Sequence, residues 1–312
     1  MDEKTCLQLL TPPGKVRPTV RYRGVLQIWV TRACDKACFG CTQGSNLGGV
    51  PGRITPEQFE KACQSLVDYF GVVGVFGGNP TLHPQFDLLC EILRKYIPFE
   101  RRGLWSNKLF GHGKVCRETF NPAVSNLNVH LDREAYEEFC RDWPEARPFG
   151  LHEDSRHDPP YVAMQDLIPD EGKRWELIAN CDINRYWSAM ICVFRGELRG
   201  FFCEIAGTQA MLHQHEPDYP DTGLPIEPGW WKRPMTDFAQ QVRVHCHACG
   251  VPLRGYGELA CAEDGVEYVT KTHASVYVPK RRGRKIKLVT DLSEIRPDGV
   301  QRFTAYLENA TK

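Results

Sequence analysis

Three cysteines lie close together near the N-terminus, and their side chains are candidates for metal chemistry. Cys34, Cys38 and Cys41 have the spacing C-x3-C-x2-C. Thiolates are the usual ligands of iron–sulfur clusters, which ordinarily take four of them. A 4Fe-4S cluster on this loop would keep one iron free to bind another molecule. A structural zinc site more often joins a C-x2-C pair to a distant pair, so this spacing favours a cluster.

A second set of cysteines follows in the C-terminal half. One cysteine precedes a predicted hairpin, another follows it, and a C-x2-C pair comes later; these residues are Cys181, Cys203, Cys246 and Cys249. Four thiolates make a closed site, which either a cluster or a structural zinc ion would fit. We favour a cluster because the first motif already implies iron–sulfur loading. Cys192, inside the hairpin, is an alternative ligand to Cys181, although burial in the strand is its simpler role.

Length and composition limit the remaining possibilities. The chain has 312 residues and 14 cysteines, with 39 lysines and arginines against 39 aspartates and glutamates. This length favours two structural units, and the charge balance gives no overall attraction to nucleic acid or to an acidic membrane. The sequence has neither a signal-peptide pattern nor a run of about 18 apolar residues. We therefore expect a soluble, cytoplasmic protein with reduced thiols and no membrane partner.

Strands and helices alternate in the segment that must position the first cysteines. Helix signals include Thr55 as N-cap and Pro56 at the first helical position. Strands are predicted at 25–31, 72–77, 101–107 and 123–132, and helices at 55–70, 83–96 and 133–143. This alternation predicts a parallel sheet, open or closed into a barrel.

The pattern weakens further along the chain. One or two more strands are expected near "RPFGLH" and "VAMQDL". An antiparallel hairpin turning at Arg195-Gly196 follows, with a short helix at 206–212. A loop rich in proline, aspartate and tryptophan then leads to the C-x2-C pair, and a basic run occupies 280–285.

The cysteine loop after the first strand resembles the signature of the radical S-adenosylmethionine (radical SAM) enzymes. The resemblance implies that the free iron binds the methionine moiety of S-adenosylmethionine. Reductive cleavage then gives a 5′-deoxyadenosyl radical, which abstracts hydrogen from a substrate. The implied fold is α/β, a partial (β/α)6 TIM-type barrel with a small C-terminal α+β domain for an auxiliary cluster. The implied divisions are a leader 1–22, the barrel 23–175, the auxiliary domain 176–265 and an extension 266–312.

The sequence "GGNP" at the end of the second strand resembles the GGEP motif of that family. Its residues are Gly77, Gly78, Asn79 and Pro80. In the family the glycines let the backbone approach the cofactor, and the acid meets the cofactor's ammonium group. Asn79 replaces the acid here, so the contact should lack its charge term and be weaker.

Other predicted cofactor contacts follow the third and fourth strands. Ser106 and Asn107 resemble the family's polar segment near the ribose and carboxylate, and His130 and Asp132 resemble a further polar row. Helix capping and loop hydrogen bonding are alternative roles for these residues. Phe39 is a candidate for packing on the adenine, although the family commonly has its aromatic residue directly before the third cysteine.

The second cysteine set resembles the "twitch" extension of some radical SAM enzymes, a relative of the SPASM domain that binds one auxiliary 4Fe-4S cluster. Cys261 would then be either a hydrogen donor to a substrate radical or a buried core residue. His245 and His247, beside Cys246, are expected to be outer-sphere donors or exposed residues and not ligands.

Three functions follow from these interpretations. The first is a radical SAM enzyme that oxidises, epimerises or isomerises a polar small molecule or a modified residue, with an external electron donor such as flavodoxin or ferredoxin. The second is a radical SAM isomerase acting on a nucleoside in DNA, held by Trp230, Trp231 and the basic run 280–285. The third is a zinc-stabilised α/β binding protein without enzymatic activity.

Overall fold

The fold is described from a computed structural model of the chain. The structure describes residues 1–16, 24–38, 40–47, 52–152, 160–181, 188–256, 266–276 and 285–295. The strands are β1 Val25–Thr31, β2 Val72–Gly77, β3 Arg102–Leu104, β4 Ala189–Phe194, β5 Glu197–Phe201, β6 Leu224–Pro225, β7 Val266–Val269 and β8 Lys285–Leu288.

The helices lie between the strands along the chain. The α-helices are α1 Glu3–Leu9, α2 Pro56–Ser65, α3 Phe86–Tyr96, α4 Gly113–Thr119, α5 Arg133–Asp142, α6 Met164–Leu167, α7 Glu171–Ala179, α8 Glu204–His213 and α9 Ala239–Gln241. A π-helical turn covers Val242–Cys246. Short 3₁₀ helices cover Pro13–Lys15, Pro80–Leu82, Phe99–Arg101, Pro122–Val124, Trp230–Lys232, Met235–Phe238, Val251–Tyr256, Lys271–His273 and Leu292–Ile295.

Six strands form one mixed sheet in the order β3-β2-β1-β4-β5-β6. β1 pairs in parallel with β2 on one side and with β4 on the other. The apolar run of β1 is buried along nearly its whole length, as expected for a central strand covered on both faces. The predicted mixed α/β class with a parallel sheet is confirmed.

Local sequence signals explain the first βα unit. Thr55 and Gln58 form a reciprocal capping box at the start of α2, and Pro56 occupies its first turn. The predicted strands at 25–31 and 72–77 are confirmed with these bounds. The predicted helix at 83–96 begins later, at Phe86.

The prediction of a full strand at 123–132 is wrong. Residues 122–124 form a 3₁₀ helix instead. Only isolated parallel bridges extend the sheet here, from Trp105 to Asn126 and from Asn128 to Phe149. The strand expected at "VAMQDL" is also wrong, because α6 occupies that segment.

The hairpin that turns at Arg195-Gly196 is confirmed. Both residues have positive φ, 49° and 84°, which fits the two-residue turn that matches the twist of paired strands. The short helix expected after it is α8. The hairpin does not start a separate sheet, since β4 is bonded directly to β1.

The domain boundaries stay predictions. The boundary placed after residue 175 falls inside α7, and the boundary after 265 coincides with the start of β7. Within the described residues, no helix is long and apolar enough to cross a membrane.

Candidate functional site

The first cysteine loop leaves the sheet at the carboxyl end of β1, beside the carboxyl end of β2. The amide of Gly78 donates to Thr31 O at 2.7 Å, and the amide of Asn79 donates to Ala33 O at 2.7 Å. A Cβ atom on Gly78 would lie 2.3 Å from Ala33 O. Because glycine has no Cβ, the start of the cysteine loop can pass this close to residue 78.

The first two thiols of this loop each have a polar side chain beside them. Nδ2 of Asn107 lies 3.7 Å from Cys34 Sγ, and Nδ1 of His130 lies 3.7 Å from Cys38 Sγ. The structure thus brings two of the predicted cofactor contacts to the two thiols, from two different parts of the sheet edge.

Backbone amides surround the third thiol. Burial raises the pKa of Cys41, while the amides of Gln43, Ser45 and Asn46 hydrogen-bond its sulfur and oppose that rise. Such amides stabilise a thiolate and tune a cluster bound to it. Gln43 Oε1 and Ser45 Oγ are buried without a hydrogen-bond partner within the described part of the chain. Orphan polar atoms of this kind fit a loop built to hold a further group.

Asn79 lies at the centre of a buried hydrogen-bond network. Its Oδ1 accepts from Ser106 Oγ at 2.7 Å and from Thr81 Oγ1 at 2.9 Å. Its Nδ2 donates to Asn107 Oδ1 and, at 3.1 Å, to Lys108 O. The amide is fully buried. The predicted contacts of Asn79 and Ser106 with a cofactor stay predictions, and the observed role of Asn79 is to hold Asn107.

The segment with His130 and Asp132 has unusual backbone geometry. His130 and Leu131 have φ of 48° and 64°, a conformation that costs non-glycine residues energy and often marks functional segments. Asp132 caps α5 through the amide of Ala135, and its other oxygen lies 2.5 Å from Lys36 Nζ. This ion pair ties the cysteine loop to the start of α5.

Two side chains from distant parts of the sequence close the loop and were not predicted. Glu267, on β7, is buried and accepts from Gly40 N at 3.4 Å and from Asn46 Nδ2 at 3.1 Å. The hydroxyl of Tyr161 donates to Cys41 O at 2.9 Å. Both residues lie far from the cysteines in the sequence, and no local pattern points to them.

The four downstream cysteines line one cavity. Cys181, Cys203, Cys246 and Cys249 line it together with apolar side chains and His245. They come from the end of α7, the start of α8, the π-helical turn and the residues after it. The structure therefore assembles the predicted set around one point.

The thiols of this cavity lie close enough to influence one another. Burial raises the pKa of Cys246 most, and the nearby thiols of Cys203, Cys249 and Cys181 raise it further. Burial also raises the pKa of Cys203, while the amides of Ile205 and Ala206 oppose this. A metal that binds here must displace the thiol protons, so its binding is expected to release them.

The spacing of these thiols bears on the type of metal group. In the part of the chain that the structure describes, no three His, Cys, Asp or Glu side chains are close enough to hold one metal ion. Four sulfurs around a zinc ion lie about 2.3 Å from it. The type and number of these side chains fit either an iron–sulfur cluster or a structural zinc ion.

Other predicted residues have structural roles. Cys192 is buried in β4, and its thiol faces Gly207 O at 3.8 Å and not the cavity. His245 and His247 are buried, so the expectation that they could be exposed is wrong. Burial lowers the pKa of His245 to about 3 and that of His247 to about 4, so both rings are neutral.

The tryptophans assigned to base binding are packing residues. Trp230 and Trp231 are buried; Trp231 donates to Ser65 O at 3.3 Å and packs edge-on against Tyr69. Their predicted role in holding a flipped base is therefore wrong. Phe39, Cys261 and nearly all of the basic run 280–285 lie outside the described residues, and their roles stay predictions.

One buried carboxyl group joins the two cysteine regions. Glu204 directly follows Cys203, and Ser188 Oγ donates to its Oε2 at 2.7 Å. Burial raises the pKa of Glu204 to about 7, and hydrogen bonds from Ser188, Thr42 and Gln27 limit the rise. Thr42 follows Cys41, so this carboxyl connects the start of α8 to the first cysteine loop.

Comparisons with known proteins add a structural similarity and no match in sequence. No protein-family model matches the chain, and no curated protein sequence matches it significantly. A solved structure with a similar course is the crystal structure of BtrN in complex with AdoMet and 2-DOIA, at a TM-score of 0.41 and 15% identity, covering 75% of this chain and 89% of that chain.

Proposed function

We propose that this chain is a radical SAM enzyme with an auxiliary cluster. Cys34, Cys38 and Cys41 would hold a 4Fe-4S cluster that binds S-adenosylmethionine. The observation that most supports this is the placement of the C-x3-C-x2-C loop at the carboxyl end of β1 in a parallel sheet, where barrel enzymes have their active sites. When bound, the cluster and S-adenosylmethionine would supply a 5′-deoxyadenosyl radical that takes hydrogen from the substrate.

The protein groups around the loop have defined parts in this proposal. Asn107 places an amide nitrogen beside Cys34, and His130 places a ring nitrogen beside Cys38. The amides after Cys41 stabilise its thiolate. Lys36, bound to Asp132, fixes the loop against α5. These contacts would hold the three cysteine ligands of the cluster in place.

The second site is proposed to hold a closed 4Fe-4S cluster. Its support is the cavity that all four thiols line. Four protein ligands leave no iron free, so a role in electron transfer is favoured over cofactor binding. An electron acceptor next to the active site would suit oxidation of a polar substrate, with an external donor such as flavodoxin or ferredoxin for the first cluster.

Metal analysis and cofactor cleavage together test the proposal. After anaerobic reconstitution, we expect about eight irons and eight sulfides per chain, as two 4Fe-4S clusters require. Cys34→Ala, Cys38→Ala and Cys41→Ala should each abolish formation of 5′-deoxyadenosine. Cys140→Ala is the matched control, because Cys140 is an exposed free cysteine. Zinc without iron, or cleavage at the parental rate in a Cys34→Ala variant, would refute the proposal.

The class of substrate needs its own experiment. Deuterated polar small molecules, peptides and nucleosides are offered in turn, and deuterium in 5′-deoxyadenosine identifies the substrate. Action on DNA predicts salt-sensitive retention on heparin that is lost when the basic residues at 280–285 are neutralised. Trp230 and Trp231 are buried, so these two side chains give this alternative no support.

A further inference from the structure

A chain of hydrogen bonds leads from the loop of the C-x2-C pair to the protein surface. Ala248, inside that pair, has its carbonyl oxygen 2.6 Å from Nε2 of His273. Nδ1 of His273 lies 3.2 Å from Nε2 of His213. Nδ1 of His213 lies 2.9 Å from Oε2 of Glu216. Both imidazoles are buried, whereas 40% of the Glu216 side chain is exposed.

The hydrogen atoms in this chain can be counted from what each end accepts. A carbonyl oxygen only accepts, so Nε2 of His273 must carry a hydrogen. An ionised carboxylate only accepts, so Nδ1 of His213 must carry one as well. The contact between the two rings needs one more. Three hydrogens on four ring nitrogens exceed by one the two that a pair of neutral imidazoles carries.

The position of the extra proton follows from the surroundings of each ring. Burial lowers the pKa of His273 to about 4; the hydrogen bond to the Ala248 carbonyl opposes this shift, and His213 adds to it. The charge therefore lies mainly on His213, next to Glu216. The ring of His213 also stacks on Tyr219, with centroids 4.7 Å apart and planes at 10°, an arrangement that favours a cation over an aromatic face.

We propose that His213 and His273 share one extra proton and that this positive charge raises the reduction potential of the cluster held by Cys181, Cys203, Cys246 and Cys249. This inference rests on the proposed function, because it assumes iron at that site. A nearby positive charge stabilises the more negative, reduced form of the cluster. We regard these three residues as positioning residues, because they would act on the cluster through the Ala248 carbonyl and through their charge; they are His213, His273 and Glu216.

The test measures the potential of the auxiliary cluster alone. A full-length chain with Cys34, Cys38 and Cys41 replaced by alanine is reconstituted, and its iron is counted. Dithionite then supplies one electron per cluster in a potentiometric titration followed by electron paramagnetic resonance. The variants are His213→Gln and Glu216→Gln. The first removes the proposed cation, and the second removes the carboxylate that faces Nδ1 of His213. His215→Gln is the matched control, because this neighbouring histidine is exposed.

The expected order separates charge from structure. His213→Gln leaves the Glu216 carboxylate without its cation and should favour the oxidised cluster at least about tenfold, a shift of about −59 mV for a one-electron couple. Glu216→Gln should shift the potential in the same direction by less, and His215→Gln should leave it unchanged. A Glu216→Gln potential equal to that of His215→Gln would overturn the inference, even if His213→Gln loses its cluster.

A second measurement does not depend on the cluster. Nitrogen-15 NMR of the histidine rings should show His213 doubly protonated and His273 with hydrogen on Nε2 at neutral pH. Both rings neutral would overturn the proton count. Absence of iron from the reconstituted chain would instead refute the proposed function, while the proton count would still stand or fall on the NMR result.

Discussion

Replacing Asn79 by the acid of the GGEP motif should weaken the protein and not improve cofactor binding. In Asn79→Asp, the Oδ1 contacts with Ser106 and Thr81 are kept. The two contacts made by Nδ2, to Asn107 Oδ1 and Lys108 O, become contacts between acceptors. Asn107 could rotate its amide to donate, but its own Nδ2 would then leave Asp35, which it now meets at 3.1 Å.

The size of the effect depends on pH. When the introduced carboxyl is protonated, its single hydrogen keeps one of the two contacts, and about 1 kcal/mol is lost with the other. Burial raises the folded-state pKa above the unfolded value of about 3.9, so the variant loses stability as the pH rises toward the folded pKa. Each pKa unit costs about 1.4 kcal/mol, and a rise of 2 to 3 units gives a total loss of about 4 to 5 kcal/mol.

Urea unfolding at pH 5.5 and 8.5, with binding of S-adenosylmethionine measured by calorimetry, tests this reasoning. Asn121→Asp is the control: Asn121 caps a 3₁₀ helix through Oδ1, and a carboxylate can do the same. The contact of its Nδ2 with Glu100 O is exposed and long, at 3.4 Å, so the stability should change by less than about 0.5 kcal/mol. The reasoning is refuted if Asn79→Asp is as stable as the parent at pH 8.5 or binds the cofactor more tightly.

Three further predictions test other parts of the structure. Cys249→Ala should lower the iron content from about eight to about four per chain, with Cys140→Ala unchanged; equal iron in both variants would contradict the cavity assignment. Gly78→Ala should displace the first cysteine loop, because the new Cβ would lie 2.3 Å from Ala33 O; we expect loss of iron from the first site by Mössbauer spectroscopy, and full retention would contradict it. Trp231→Ala should cost about 3 to 5 kcal/mol in urea unfolding, as truncation of a buried tryptophan does, without changing retention on heparin; an unchanged stability with weaker retention would restore the nucleic-acid interpretation.

The sequence was most informative where a structural feature depends on residues that are close together in the chain. The strands β1 and β2, the cap of α2 and the Arg195-Gly196 turn follow from local patterns, and the structure has them where they were predicted. The spacing of Cys246 and Cys249, together with two distant thiols, also indicated a common site, and the four line one cavity.

Contacts between distant segments could not be predicted in this way. Glu267 reaches Gly40 and Asn46 from β7, and neither its type nor its neighbours distinguish it from other glutamates on short strands. The 123–132 segment alternates like a strand, yet Pro122 starts a 3₁₀ helix there, and tertiary contacts at Asn126 and Asn128 replace regular pairing. Trp230 and Trp231 look alike as packing or stacking residues until their burial is known.

The direct pairing of β1 with both β2 and β4 limits how this protein can be divided or recombined. Leu26, Ile28 and Val30 are buried on a strand with a neighbour on each side. A chain cut after residue 175 would lose β4 and leave β1 as an apolar edge, the kind of surface that pairs with other chains and aggregates. The two cysteine sites are therefore expected to be inherited, expressed and engineered as one piece, with neither transferable as an independent module.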